Sequence, residues 1–372
     1  MMRVSHMRIV LLAMVMLLPL LVACNTFEYG FDETQAEMSN PNMSNLTFRF
    51  DWDNVGSDLM PEEMTVLMSR KVNSLNYIWT LDGQGRFITD GQEVPANQMI
   101  GNGEYYLVAF CNQSSLYQIT DYRRFEEPGQ VAMRDLYATV LPVSTEDVSG
   151  SGEVLDFNMY SGYVAHTEDP LYHYIDKGLK FPHTSAAVSL EPTTLTREFT
   201  LSLAVETEPE VSIDRVVAVL SGVPQRVQLM SGFVSRNETA KVVFDMERDA
   251  VYGKRIAYEG KFKSLGLFSS QDRTLITGPG VLQVSLYASV HKDGIDEERL
   301  LYAVINLKDT IDDAGIMCQS EDKTGYWVVP QDEIETLYVE PVLRVRKSQV
   351  ESGESSGYDI WVESDAEIKP EL

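Results

Sequence analysis

Apolar side chains in this chain return at every second position rather than every third or fourth, and that period excludes a helical fold before any motif is considered. The clearest run is Leu46, Phe48, Phe50 and Trp52, alternating with Thr47, Arg49 and Asp51. A spacing of two places four apolar groups on one face of a β-strand. The strand is half-buried, and an antiparallel neighbour is expected for it. Comparable runs occur at Met64 to Met68, Tyr105 to Phe110, Phe199 to Val205, Val216 to Leu220, Val281 to Val290, Leu301 to Leu307 and Leu337 to Val345. Turn formers separate them: Asp82-Gly83, Asp90-Gly91, Gly101-Asn102-Gly103, Ser221-Gly222, Gly278-Pro279-Gly280 and Asp293-Gly294. No stretch of more than about 12 residues after the leader keeps amphipathic helical spacing. The expected class is all-β, built as antiparallel β-sandwiches.

A weak internal repeat suggests two such sandwiches in tandem. Strands opening at Leu46 and Met64 are 18 residues apart, and those opening at Phe199 and Val216 are 17 apart. In each half a Gly-x-Gly then leads into a further strand, at Tyr105 and at Val281. Chance recurrence of common strand and turn patterns is the alternative. A chain of 372 residues also exceeds what one hydrophobic core usually serves. The expected division is a signal peptide at 1–23, a tether at 24–44, an N-terminal sandwich at 45–190, a C-terminal sandwich at 191–346 and an acidic tail at 347–372. The boundary rests on the polar segment Thr184 to Thr196 with Pro192, and residues 347–357 have the composition of a flexible linker.

The N-terminus carries Arg3 and Arg8, an apolar run from Ile9 to Val22 interrupted by Pro19, and then Leu21-Val22-Ala23-Cys24. The run is too short for an untilted membrane span of roughly 20 residues. Two cations, a short apolar core and a small residue before cysteine form a signal peptide with a lipobox. The expected modification is lipidation (palmitate) of Cys24, which gives stable membrane anchoring because several acyl chains act together. Asn25 follows Cys24 in place of aspartate, which favours the outer membrane and the cell surface.

Composition narrows function further. The chain holds 56 acidic against 30 basic residues, a net charge of −26, and such a surface repels nucleic acid. Only Cys111 and Cys318 remain beyond the lipobox, with no zinc-like spacing, and Cys111 after the Tyr105–Phe110 run is expected in the core. No nucleophile elbow, metalloprotease helix, phosphate loop or dinucleotide fingerprint occurs, so no catalytic residue, metal or cofactor is assigned and no enzyme activity is expected. His166, Glu168, Asp169, His173 and His183 carry metal-binding groups. Their spacing matches no ligand pattern, and a loop packed over a sheet accounts for them equally. Trp79 and Trp327 lie near polar turns and could form a sugar-binding platform, whereas Trp52 falls on the buried face of its strand.

Five segments resemble the fimbrial anchor and accessory lipoproteins of Bacteroidales, the FimB-like group. They are NLTFRFDW from Asn45 to Trp52, PEEMTVLM from Pro61 to Met68, GEYYLVAFCN from Gly103 to Asn112, and the pair Thr196–Leu203 and Val216–Pro224 with its Leu-Ser-Gly turn. The resemblance implies two transthyretin-like β-sandwiches and a role in fimbria assembly and cell adhesion, with other fimbrial subunits as partners. It also implies assembly by strand addition, in which an extended segment of one subunit completes a sheet of the next. Tyr358, Ile360 and Val362 share one face of a candidate donor strand, and an ordinary acidic tail is the alternative. Stalk subunits of the group are opened by cleavage after an arginine in the first domain, and Arg70, before Lys71, sits in what reads as a loop. The competing function is a carbohydrate-binding lipoprotein of a surface glycan-uptake system, with a sugar ligand on Trp79 or Trp327.

Overall fold

The computed structural model describes residues 43–44, 46–52, 61, 64–72, 75–80, 100–101, 103–111, 116–120, 135–142, 170–181, 186–292, 295–321, 325–329 and 335–351. The fold is all-β, as the period-two pattern predicts. Strands β1 (Met43–Ser44), β2 (Leu46–Phe50), β3 (Thr65–Val72), β4 (Leu75–Thr80), β5 (Ile100–Gly101) and β6 (Gly103–Phe110) come first. They are followed by β7 (Tyr117–Ile119), β8 (Tyr137–Val140), β9 (Tyr172–Phe181), β10 (Ala186–Leu190) and β11 (Thr193–Thr194). Then come β12 (Arg197–Thr207), β13 (Val211–Pro224), β14 (Arg226–Gln228), β15 (Phe233–Val234), β16 (Thr239–Tyr252), β17 (Arg255–Ser264), β18 (Val281–Lys292) and β19 (Ile295–Asn306). The short helix α1 (Lys308–Ala314) precedes β20 (Met317–Gln319), β21 (Tyr326–Val328), β22 (Glu335–Tyr338), β23 (Leu343–Val345) and the helical turn α2 (Lys347–Glu351). Among the described residues no helix is long and apolar enough to cross a membrane.

The two halves place corresponding strands in the same order. One sheet runs β11-β9-β6-β3-β4 and the other β19-β18-β13-β16-β17-β12-β22. In each, the second strand of the sequence repeat (β3 or β13) pairs on one side with the glycine-led strand (β6 or β18) and on the other with a strand that lies between those two in the chain (β4 or β16). These pairings are antiparallel, with Thr65↔Phe110 and Arg70↔Tyr105 in one half and Val216↔Leu286 and Val219↔Gln283 in the other.

A third sheet, ordered β20-β21-β15-β14-β8-β7, takes strands from both sides of residue 190, because β8 of the first half pairs with β14 of the second through Ala138↔Val227. One apolar cluster accordingly runs from Phe48 and Phe110 through Leu136 and Val227 to Phe199 and Leu343. The segment around Pro192 is itself sheet, with β10 before it and β11 after it.

Three local expectations change. Arg70 lies inside β3, paired with Tyr77 on one side and Tyr105 on the other. The polar run Ser69-Arg70-Lys71 had the composition of a loop, but the strand continues through it into a hairpin with β4. Residues 347–351, the start of the glycine- and serine-rich stretch, form α2 with Val350 buried. The Leu337–Val345 run is interrupted at Glu340-Pro341 and divides into β22 and β23, since proline supplies no N–H to a ladder.

The centre of the larger sheet depends on a glycine. The β13·β16 register shifts between Ser221 and Val223, and Gly222 at that bulge has φ +99°. A Cβ there would lie 2.6 Å from the Phe268 carbonyl oxygen and 2.7 Å from the Gly280 nitrogen. The close approach lets the Phe268 N–H donate to the Gly222 carbonyl at 3.0 Å and the Gly280 N–H donate to Ser221 at 2.9 Å. Left-handed backbone and backbone overlap both penalise a side chain. Gly222→Ala is therefore expected to lower unfolding free energy by about 2 kcal/mol or more, read as a reduced urea midpoint with an unchanged slope.

Candidate assembly surface

Each half is closed by its own ends. Strand β2 opens the first half and pairs in parallel with β10, from Leu46↔Ala186 through Phe48↔Val188 to Phe50↔Leu190. Strand β12 opens the second half and pairs in parallel with β22 (Leu201↔Leu337) and β23 (Val205↔Leu343). The antiparallel partner expected for the Leu46 strand is thus replaced by a parallel one. Alternation of side chains fixes which face is buried and is silent on strand direction. A parallel partner needs a long connection, and about 135 residues separate β2 from β10.

Apolar anchors hold these strands. Phe48 and Phe50 are buried, and the Asp51 N–H donates to the Leu190 carbonyl at 2.8 Å, extending the ladder by one bond. Trp52 sits just past the end of β2, partly buried, with its ring 6.0 Å from Phe50 and edge-on to Tyr172 at 5.5 Å. It therefore contributes to packing, as its place in the alternation predicts. At the other end, Leu337, Val339, Leu343 and Val345 are all buried against β12, and Val339 N–H donates to Ser202 O at 2.9 Å.

The chain after β23 is fastened by polar contacts. Lys347 N–H donates to a Glu208 carboxylate oxygen at 2.8 Å, and its ammonium pairs with Glu210. That hydrogen bond, with the charge behind it, holds the Glu210 carboxyl below its ordinary range. Arg299 donates to the Gln349 carbonyl at 2.8 Å. The exit point of the C-terminal segment is consequently fixed on the sheet, on the edge that also carries Tyr338, 67% exposed. Strands β2 and β22 each have a single strand neighbour among the described residues. Sequence reasoning missed β10 because its residues fell in the segment read as a boundary; its Ala-Ala-Val-Ser-Leu run is the signal that could have found it.

The other singled-out residues fall as follows. Cys24, His166, Glu168, Asp169, His183, Tyr358, Ile360 and Val362 lie outside the described residues. Cys111 is buried, as expected, with its thiol donating to the Pro170 carbonyl at 3.8 Å, and Cys318 is exposed. Trp79 lies in β4, opposite Met68. Trp327 lies in β21, inside the third sheet, with its ring stacked 5.7 Å from Phe233. Among the described residues no group of three or more His, Cys, Asp and Glu side chains could hold a metal ion.

His173 is the one member of its sequence cluster among the described residues. It lies on β9 opposite Phe110 and Thr193, where burial lowers its pKa to about 4, against a smaller upward pull from a hydrogen bond to the Leu229 backbone. Its Nδ1 is buried with no hydrogen-bond partner. The ring thus bridges β9 of the first half to the segment after β14 of the second as a neutral imidazole.

Comparison with known proteins completes the description. No family model matches the chain, and no curated protein matches it. Among solved structures, the chain is similar to a candidate adhesin from Bacteroides ovatus, at 15% identity over 79% of this chain and 92% of that one, with a TM-score of 0.45. It is similar to the fimbrial anchor protein Mfa2 from Porphyromonas gingivalis, at 10% identity over 82% and 90% of the two chains, TM-score 0.41. A third is a candidate polysaccharide-binding protein from Bacteroides thetaiotaomicron, at 11% identity over 82% and 93%, TM-score 0.39.

The His173 geometry sets a pH dependence. The unfolded chain takes up a proton near pH 6.5 and the folded chain only near pH 4, so protonation favours unfolding. The contribution is fully present above pH 6.5 and is lost as pH falls from there toward 4, by up to about 3 kcal/mol. Urea denaturation at pH 7 and pH 4.5 should show this loss in the wild type, and a smaller one in His173→Gln.

Proposed function

We propose that the protein is a lipid-anchored accessory or anchor subunit of surface fimbriae, placed in the outer membrane facing the exterior, where it joins fimbrial subunits and serves adhesion. The observation that carries this reading is the parallel closure of each half by its own last strands. The first strand of each half takes a parallel partner from far away in sequence on one edge, so the sheet is completed there by a segment that arrives from elsewhere. Completion by a distant segment of the same chain and completion by a segment of another chain use the same main-chain hydrogen bonds.

The lipobox at Cys24 supplies the anchor in this reading, and residues 24–44 supply the tether. The two halves, 45–190 and 191–346, are sandwiches of one architecture. The segment beyond α2 acts as the donor, with Tyr358, Ile360 and Val362 entering the partner. The role is assembly and not catalysis, and no cofactor is assigned. Arg70 is paired on both sides within β3, which favours an uncleaved anchor over a stalk subunit opened by proteolysis.

Affinity purification from the native host tests the reading, with full-length protein compared to a chain ending at Glu351 and to Cys24→Ser. Fimbrial subunits should co-purify with the full chain and be lost on truncation, and Cys24→Ser should shift the protein from the membrane to the soluble fraction without palmitate incorporation. Co-purification of glycan-transport components in place of fimbrial subunits would overturn the assignment.

A further inference from the structure

The larger sheet has a second face that the core does not explain. On β13, the inward-pointing Val216, Ala218 and Leu220 belong to the main apolar cluster. Val217 and Val219 point the other way and lie outside that cluster, as does Val281 on β18, yet they are only 3%, 1% and 2% exposed. What covers the Val219 and Val281 end of this face is the loop between Phe268 and Gly280, and beneath the loop is a cleft of about 170 Å³.

Val219 and Val281 form the cleft's apolar floor. Polar groups from three adjacent strands surround it: Ser221, Lys241 across from it, and Gln283 opposite Val219. Ile276, Thr277 and Gly278 form the rim. Gln283 Oε1 is buried and has no hydrogen-bond partner, although leaving such an oxygen unsatisfied costs about 1–3 kcal/mol. Burial also lowers the pKa of Lys241, the mark of an ammonium partly stripped of water.

The rim is built in advance of any ligand. Asn306 Nδ2 donates to the carbonyls of Asp272 and Leu275 at 2.9 and 2.7 Å. Thr274 N–H donates to the Asp272 carboxylate at 2.9 Å, and Arg273 pairs with Asp309 of α1 at 2.8 Å. Ser221 Oγ donates to the Gly278 carbonyl. A rim held at this many points loses little conformational entropy on binding. Its outer lip exposes Leu275 and Ile276, at 42% and 45%.

We propose that this cleft binds one neutral pyranose ring, with Lys241 and Gln283 hydrogen-bonding its hydroxyls, Val219 and Val281 beneath its C–H face, and Thr277 and Ile276 at its edge. The size agrees: 170 Å³ is about six water volumes at ~30 Å³ each, the bulk of a single sugar ring. The polarity agrees as well. A hydroxyl both donates and accepts, so one kind of group serves the ammonium and the side-chain amide together. A carboxylate would meet the Gln283 oxygen unfavourably and enter a molecule of net charge −26. The site is separate from the strands of the proposed assembly surface, and its failure would leave that proposal standing.

The test is saturation-transfer NMR on the full mature chain with methyl glycosides of glucose, galactose, mannose, N-acetylglucosamine, N-acetylgalactosamine and fucose, with glucuronate as an anionic control. At least one neutral glycoside should bind with a millimolar Kd. Two variants should each weaken it at least tenfold: Gln283→Leu, which keeps the shape but removes the amide, and Thr277→Tyr, which obstructs the mouth from an exposed loop. Thermal unfolding of both variants, unchanged or raised, shows that they are folded. No binding of any neutral glycoside, binding of glucuronate alone, or binding indifferent to both folded variants would overturn the proposal.

Discussion

Main-chain hydrogen bonds at the first strand of each half are the constraint on which the structure depends. A strand that buries apolar residues on one face must also satisfy the N–H and C=O groups along its edges. On β2 one edge is met by β10 in parallel; on β12 one edge is met by β17 in antiparallel pairing and the other by β22 with β23 in parallel, from the far end of the same half. Loop closure over such distances is entropically slow to form. The apolar anchors Phe48, Phe50, Leu337 and Leu343, buried at these pairings, offset it. Those residues do in packing what a tight hairpin does locally elsewhere in the fold.

The joint between the halves follows from the same economy of edges. Strands β7 and β8 have too few residues to make a stable sheet alone, and they extend the ladder of β14 and β15. His173 and Leu229 meet near that joint, so the halves share both a ladder and a buried polar contact. Strand β11 lies beyond residue 190 yet pairs with β9, and β8 pairs with β14, so hydrogen-bonded sheet continues across the division read from composition.

Much of the fold was legible in the sequence where a single physical pattern decided it. Phe48 and Phe50, Leu201 and Leu203, and Leu282, Val284 and Leu286 lie buried where alternation placed them. Direction and partnership were not legible, because period two is the same for parallel and antiparallel strands. The Arg70 stretch is polar enough to look like a loop, and only its partners on both sides make it a strand. The candidate cleft was less legible still. Gln283 looks like an ordinary outward-facing residue of an alternating strand, and Gly278-Pro279-Gly280 like an ordinary turn; only the fold brings them beside Lys241.

The central claim is that the segment beyond α2 completes a partner's sheet as a strand. Site-specific photo-cross-linking in the native host tests this most directly, with a photoreactive amino acid placed in turn at each position from Tyr358 to Val362. Strand addition predicts cross-links to a fimbrial subunit alternating along the segment, strong from positions 358, 360 and 362 and weak from Asp359 and Trp361, whose side chains would face away. Uniform labelling at all five positions, or none to any fimbrial subunit, would contradict the account.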